Sequence, residues 1–326
     1  MQRRTVLKLA GSTLGLLHFH RPVLSQSVQR PAVIGYIAQR AGPWHLDHAF
    51  LQGMKELGYV EGRHFVMAYR WGPNVADLPQ MAADLVRQKV NVIVSSGYPC
   101  NKAAKDATDT IPIVMATSGD AVQEGLVQSL ARPDGNITGL SVLNRELSGK
   151  RLELLREAVP GLKRIAALFN GSNPAMPPQF QEIESTADRL DIQAVPLNAS
   201  IPAGVDAAFE EASGAGVSAV MILSDSSTIG NRVDIGNSAL KHRLPTIFSN
   251  RDYLRTGGLM SYGPDLADNF RQAAAFVDKI LKGGNPAVIP VEQPTKFELV
   301  VNLRAAKGLG IRLPESLLVR AAEILE

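Results

Sequence analysis

The feature that most constrains this chain is a regular alternation of short β-rich apolar runs with amphipathic helical patterns. The run "AVIGYIA" at residues 32–38 predicts a strand, and the segment after it places Leu46, Phe50, Met54 and Leu57 at helical spacing. Almost continuously apolar strands are expected where helices cover both faces of a parallel sheet, so we predict an α/β fold. The cycle continues with the strand "HFVMAYRW", the helix "LPQMAADLVRQK", the strand "VNVIVSSG", the helix "NKAAKDAT", the strand "IPIVMAT" and the helix "VQEGLVQSLA".

A second α/β unit of similar size begins after a junction at residues 138–147. Its first helix is predicted in "ELSGKRLELLREAVPG", where Leu152, Leu155 and Val159 share one face. The pattern then runs through "RIAALFN", "FQEIESTADRL", "IQAVPL", "VDAAFEEASGAG", "AVMILSD", a helix ending at His242, and "LPTIFSN".

The tail of the chain departs from this alternation. The extended segment "GGLMSYGPD" leads into one amphipathic helix, which is followed by the extended "IPVEQPTKFELVVN". One helix cannot form a third domain, so we expect the chain to cross back to the first unit and return. The predicted fold has two lobes, each with a doubly wound parallel sheet, joined by three hinge crossovers. Lobe one is predicted at residues 31–140 plus about 263–290, and lobe two at residues 141–262 plus about 291–326.

The N-terminus has the layout of a secretory signal. Arg3 and Arg4 precede an apolar run at residues 9–19, which at 11 residues is shorter than the ~20 of a membrane span. The paired arginines indicate a signal peptide of the twin-arginine type at residues 1–25, cleaved near Ser25 and Gln26. This predicts a periplasmic protein. The alternatives are the ordinary secretion route and a basic terminus on a cytoplasmic protein.

The charge of the chain belongs largely to this segment. The whole chain has 34 Lys and Arg against 31 Asp and Glu, but residues 1–25 contain four basic residues and no acidic one. The remainder is therefore close to neutral, which gives no electrostatic basis for binding nucleic acid or an anionic membrane. Cys100 is the single cysteine, so an intramolecular disulfide and a Cys-rich metal site are excluded.

Polar residues are concentrated where the predicted strands end. In an open parallel sheet, ligands bind at the carboxyl ends of the strands, close to the free N–H groups of the following helices. The alternative is that each Ser, Asn or Asp only caps the helix after it. The strand-to-helix turns selected in this way are residues 39–44, 95–98, 117–120, 170–173, 225–228 and 249–252.

Motifs for catalysis or cofactor binding are weak in this sequence. His45 and His48 stand three residues apart without a further ligand frame, so a metal site is not expected. Lys150 lies in "SGKR", which lacks the remainder of a phosphate-binding loop. Cys100 follows a strand end but has no His or Asn partner nearby, and Asp120 is favoured as a helix cap over a general base. We therefore predict neither an enzyme nor a cofactor.

Several long phrases together resemble the ABC-transporter substrate-binding proteins, in the family that includes tryptophan-type binders. The resemblance covers residues 32–326, and the phrases that carry it are "KELGYVEGRHFVMAYRW", "SLARPDGNITGLSV", "GKRLELLREAVPGLKRIAALFN" and "GGLMSYGPDLADNFRQAAAFVDKILKGGNPAVIPVEQPTKFELVVNLRAAKGLGIRLPESLL". It implies a type I periplasmic-binding fold that closes on a small aromatic or carboxylated compound, with amino acids among the candidates. It also implies delivery of this ligand to a membrane permease and its ATPase.

The resemblance transfers positions of a binding site rather than a ligand. It places pocket positions in the turns at 95–98, 117–120, 170–173 and 225–227. Tyr98 stands where the family commonly has a small residue, and Trp44 is the other aromatic candidate for stacking on a ligand, with core packing as the alternative for both. The predicted ligand contacts are Trp44, Ser96, Gly97, Tyr98, Thr117, Asp120, Asn170, Ser172, Asp225, Ser226, Asn250 and Tyr262.

Two other functions remain open at this point. A ligand-sensing subunit for a membrane kinase or chemoreceptor would have the same sequence features as a transport receptor. An extracytoplasmic enzyme on the same fold would need Asp120 or Asp225 as its acid or base. We expect a monomer with no nucleic-acid partner and no segment inserted in the membrane.

Overall fold

The alternating pattern of the first half forms a five-stranded parallel sheet. This computed structural model describes residues 30–198 and 204–326, and the predicted signal at residues 1–25 lies outside the described residues. The sheet has the strand order β2-β1-β3-β4-β5, with β1 (Ala32–Ala38), β2 (Phe65–Trp71), β3 (Val92–Ser96), β4 (Ile113–Thr117) and β5 (Ile137–Gly139).

A second sheet of seven strands follows. Its order is β12-β11-β10-β9-β8-β6-β7, and β11 pairs antiparallel with β10 while all other neighbours are parallel. The strands are β6 (Arg164–Phe169), β7 (Gln193–Asn198), β8 (Ala219–Ile222), β9 (Thr246–Phe248), β10 (Met260–Gly263), β11 (Glu298–Asn302) and β12 (Glu323–Leu325).

The helices of the described residues cover both sheets. None of them has both the length and the apolar character needed to cross a membrane. They are α1 (His45–Glu56), α2 (Leu78–Arg87), α3 (Tyr98–Ala107), α4 (Glu146–Ala158), α5 (Met176–Arg189), α6 (Val205–Gly214), α7 (Ser226–Gly230), α8 (Arg232–Lys241), α9 (Leu266–Leu281), α10 (Leu303–Leu309) and α11 (Glu315–Arg320).

Each sheet has a separate apolar core on each face. In β1, Tyr36 points to the face covered by α1 and α9, and the next residue, Ile37, points to the face covered by α2 and α3. In the second sheet, the face that contains Met221 of β8 packs on α4 and α5, and the face that contains Val220 packs on α6 and α8. Burial on both faces explains why these strands are apolar at nearly every position.

The chain crosses between the two sheets three times. It leaves the first sheet after β5, returns after β10 to place α9 against α1 and β4, and enters the second sheet again at β11. The buried Arg151 joins the segment after the first crossing to the end of β10, next to the second crossing: its Nε donates to the Tyr262 carbonyl at 2.7 Å, and its Nη1 donates to the Asn144 carbonyl at 3.1 Å. The fold is therefore the predicted pair of α/β lobes.

Two of the predicted helices differ from the structure. The segment "VQEGLVQSLA" was expected to be a helix, but residues 122–131 form a series of turns. Gly125 takes the left-handed conformation with a φ of 67°, and both Leu126 and Val127 donate their N–H groups to the Ala121 carbonyl. A left-handed residue ends a helix, which is why the apolar spacing here does not produce one. The helix predicted to end at His242 is two helices, α7 and α8.

The contact between α1 and α9 depends on a glycine. A Cβ at Gly53 would lie 2.3 Å from the Arg271 carbonyl oxygen and 2.9 Å from the Ala274 Cβ, both on α9. The absence of a side chain at this position lets the two helix backbones approach closely.

We expect Gly53→Ala to lower the free energy of unfolding by about 1–3 kcal/mol, because α9 must move to admit the methyl group. Gly214→Ala is the matched control, since Gly214 is an exposed helical glycine with no atom within 4 Å of the added Cβ. This control should be neutral or slightly stabilising, as expected from helix propensity. Urea denaturation measures both variants, and equal stabilities of the two would contradict the proposed backbone contact.

Candidate functional site

The carboxyl ends of the strands in the two sheets face each other across a cleft. The cleft is lined from both lobes, and it lies where parallel α/β sheets place their ligands. Seven of the twelve predicted contacts line it: Ser96, Gly97, Tyr98 and Thr117 from lobe one, and Asp225, Ser226 and Asn250 from lobe two.

The lobe-one wall is built at the ends of β3 and β4. Asn101 of α3 accepts a hydrogen bond from Ser95 Oγ at 2.7 Å and donates through Nδ2 to the Thr117 carbonyl at 3.0 Å, so one buried amide joins both strand ends. Gly97 follows β3 with a φ of 79°, and its N–H donates to the same carbonyl. A Cβ at Gly97 would lie 3.0 Å from Ser226 Oγ, which shows how closely the two lobes approach here.

Asp225 in the lobe-two wall is held by three donors. Its Oδ1 accepts from the Thr228 N–H at 2.8 Å, which caps α7. Its Oδ2 accepts from Asn170 Nδ2 at 3.2 Å and from Asn173 Nδ2 at 3.1 Å. These bonds occupy most of the carboxylate, so its main role is to hold the turns after β6 and β8 together.

Glu124 also lines the cleft, and the sequence analysis did not select it. Ser118 Oγ donates to Glu124 Oε2, and the Gly119 N–H donates to Oε1 at 3.2 Å. Burial raises the pKa of Glu124 to about 7, although these hydrogen bonds oppose the shift. Gln179 was missed for another reason: it lies within helix α5, away from any strand end, yet it lines the same cleft.

Two hydrogen-bond donors in the lobe-two wall have no partner among the described residues. They are Ser224 Oγ and Asn250 Nδ2, and Asn250 is only 4% exposed. Asn250 Oδ1 accepts from the Asp252 N–H at 2.8 Å, which sets the orientation of the amide. A buried donor without an acceptor costs about 1–3 kcal/mol, so a ligand atom that accepts from these groups would gain that energy.

Four of the other predicted contacts line neighbouring cavities rather than this cleft. Asp120 lies beside Gln123 in an adjoining cavity, and Asn170 and Ser172 lie in another. Trp44 lies at a third, where its ring is 5.2 Å from the Arg232 guanidinium carbon.

Tyr262 is not among the residues that line the cleft. It lies on β10 with its ring centroid 6.3 Å from that of Phe297, and its carbonyl accepts the bond from Arg151.

Contacts between side chains join the two lobes around the cleft. Gln39 Nε2 donates to Ser227 Oγ at 3.3 Å, and His45 Nε2 lies 3.5 Å from Asp252 Oδ2. The Trp44 ring under Arg232 adds a cation–π contact. These groups belong to opposite lobes, so their contacts can form only when the two lobes lie close together.

The cysteine and the possible metal ligands considered from the sequence are poorly placed for reaction or for metal binding in the described part of the chain. Cys100 is fully buried, and burial raises the pKa of its thiol to about 12, so it stays protonated at neutral pH. Across residues 30–198 and 204–326, no three His, Cys, Asp or Glu side chains are grouped closely enough to hold a metal ion.

The raised pKa of Glu124 predicts a pH-dependent stability. In the unfolded chain this carboxyl ionises near pH 4.5, whereas in the folded protein it keeps its proton up to about pH 7. Between these values the folded state binds more protons, so the wild-type protein loses stability as the pH rises. Glu124→Gln removes this loss, and its stability relative to wild type should increase by about 1–3 kcal/mol from pH 4.5 to pH 8.

Urea denaturation of the ligand-free protein at several pH values measures this difference. Glu153→Gln is a suitable control, because Glu153 is half exposed and pairs with Lys150 at the surface. A difference between Glu124→Gln and wild type that does not change with pH would contradict the expected proton uptake.

Comparisons with known proteins agree with this geometry. The family model described as ABC transporter substrate binding protein matches residues 42–325. A tyrosine-binding protein of Clostridioides difficile is 25% identical over 266 residues, which are 81% of this chain and 76% of that protein.

Solved structures share the fold over most of the chain. A conserved domain protein from Vibrio cholerae has a TM-score of 0.85 and 28% identity, covering 90% of this chain and all of that one. An ABC domain from Streptococcus pneumonia in complex with L-Trp has a TM-score of 0.84 and 24% identity, covering 91% and 100%. The match of the family model over nearly the whole described chain shows that the protein belongs to the ABC transporter substrate-binding protein family.

Proposed function

We propose that this protein is the solute receptor of an ABC importer, which closes on a small organic ligand in the periplasm and delivers it to a membrane permease. The observation that carries this proposal is the cleft between the two lobes, with two buried donors in its wall that lack an acceptor in the described part of the chain. The signal-like N-terminus supports the periplasmic location. Asp225 is engaged by three donors and the Cys100 thiol is protonated, so we propose binding without chemistry.

The ligand that we propose is an aromatic amino acid or a related carboxylated compound. A relative is named for tyrosine binding and a solved structure of the same fold holds L-Trp. In this chain Tyr98 brings an aromatic ring to the cleft, and apolar surface comes from Pro99, Met176, Ile229 and Leu266. Burial of an aromatic side chain against this surface would supply most of the affinity.

Closure is proposed to occur by rotation of lobe one (residues 31–140 and 263–290) against lobe two (residues 141–262 and 291–326). Trp44 and Arg232 then act as a latch outside the ligand, since they come from opposite lobes and line a cavity beside the cleft. The ligand shifts the equilibrium towards the closed form only by the contacts it makes in that form alone.

If Trp44 and Arg232 form this latch, removal of either side chain should weaken ligand binding. Trp44→Ala and Arg232→Ala should each reduce ligand affinity by about two- to fivefold, as expected for a partly exposed cation–π pair. The double variant should bind the ligand no more weakly than the weaker-binding of the two single variants. Arg232→Lys should keep part of the affinity that Arg232→Ala loses. Calorimetric titration of the four variants measures the coupling, and additive losses would show that the two side chains act independently.

Direct binding tests the proposed function. Equilibrium dialysis and thermal denaturation with L-tyrosine, L-tryptophan and small aromatic acids should give saturable binding, and about 2.7 kcal/mol of stabilisation at a hundredfold excess over Kd. Ser226→Phe fills the cleft and should reduce affinity at least about tenfold, whereas Ser213→Phe on the exposed surface of α6 should not. Absence of stabilisation by every compound in this set would contradict the proposed function.

A further inference from the structure

The charges that line the cleft are all negative. Among residues 30–198 and 204–326, its lining contains two carboxyl groups, Glu124 and Asp225, and no Lys, Arg or His. Asp225 is already compensated by the N–H groups of Asn170, Asn173 and Thr228. The negative charge that remains available to a ligand is therefore that of Glu124.

The surroundings of Glu124 leave it able to accept a further hydrogen bond. A carboxylate offers about four acceptor sites, and Ser118 Oγ, the Gly119 N–H and the Asp120 N–H use three of them, which leaves one for a ligand. On the facing lobe, the nearby side chain is the neutral amide of Gln179: a Cβ at Gly119 would lie 2.8 Å from Glu124 Oε1 and 3.8 Å from Gln179 Nε2. Unlike Asn170 and Asn173 at Asp225, Gln179 makes no hydrogen bond to Glu124 among the described residues, so it leaves this carboxyl group uncompensated.

Other charged groups near Glu124 do not compensate it either. Asp120, in the same turn, is a further negative charge. Arg145 of the segment before α4 lines the adjoining cavity, which Glu124 also lines, but its guanidinium is directed to Gln123 Oε1 and to Glu182, whose carboxylate is 3.9 Å away. Tyr98 from α3 and Asp225 from lobe two bring no positive charge.

The facing wall of the cleft, in lobe two, presents hydrogen-bond donors. Ser224 Oγ and Asn250 Nδ2 are buried donors with no acceptor among the described residues. A ligand with a donor cation at one end and an acceptor at the other would satisfy both walls of the cleft. A ligand that carries only a carboxylate would leave Glu124 without a partner and would be repelled by it.

We propose that Glu124 is the residue that determines specificity in this cleft, and that it selects ligands with a positively charged amino group while Asn250 and Ser224 bind an acceptor such as a carboxylate. This inference rests on the proposed receptor function and narrows its ligand class to amino compounds. An ammonium group would stabilise the ionised form of Glu124, so binding below about pH 7 releases a proton and affinity rises with pH.

Titration calorimetry of the mature chain with three matched probes tests this proposal: L-tyrosine, desaminotyrosine, which lacks the amino group, and tyramine, which lacks the carboxylate. The corresponding tryptophan compounds form a second set. Wild type should bind the amino acid at least about a hundredfold more tightly than the desamino acid, because the latter leaves Glu124 unpaired. In Glu124→Gln this ratio should fall below about tenfold, and the pH dependence of the affinity should disappear.

The control variant is Glu182→Gln, which removes a carboxylate that pairs with Arg145 but does not line the cleft; it should retain the discrimination of wild type. Proton release by wild type, measured in buffers of different ionisation enthalpy, is a second readout that needs no variant. Equal affinity for the amino and desamino acids, or full discrimination in Glu124→Gln, would overturn this inference and leave the receptor function intact. Absence of binding by every probe in wild type would overturn the receptor function, and this inference with it.

Discussion

The buried guanidinium of Arg151 ties the start of lobe two to the end of β10, beside the cleft. Arg151 comes from the first helix of lobe two, and its donors bind the carbonyls of Asn144 and Tyr262, which lie next to two of the three crossings between the sheets. Burial lowers the pKa of Arg151 to about 9, so the side chain keeps its charge at neutral pH. It also donates to Asn144 Oδ1, which orients an amide that lines the cleft.

The two lobes contribute different polar groups to the cleft. Lobe one brings a carboxylate on a tight turn, and lobe two brings buried donors at the end of β8 and after β9. Among the described residues, the donors Ser224 Oγ and Asn250 Nδ2 have no acceptor, which is the condition expected of the proposed receptor, whose closed form its ligand would stabilise. Contacts outside the cleft, such as Trp44 on Arg232, also join residues of the two lobes.

Much of the fold was accessible from the sequence, but the most informative site residue was not. The strand β1 was predicted with the bounds that it has, because its apolar run is a local property. Glu124 was assigned to a helix by the spacing of apolar residues in "VQEGLVQSLA". The segment is a turn instead, since Gly125 is left-handed and the Glu124 carboxylate folds back onto Ser118 and Gly119. The contacts that stabilise this turn cannot be seen in the spacing of apolar residues.

The sequence by itself determined the alternation of strands and helices, because burial on both faces of a parallel sheet imposes its pattern residue by residue. The family was accessible from the resemblance of several long phrases. The sequence also located the strand ends, and seven of the twelve residues chosen there line the cleft. Only the tertiary structure decided which polar groups are still free to bind a ligand. Asp225 is compensated by Asn170 and Asn173 from another turn, whereas Asn250 Nδ2 has no acceptor among the residues that the structure describes, and both outcomes depend on distances between segments far apart in the chain.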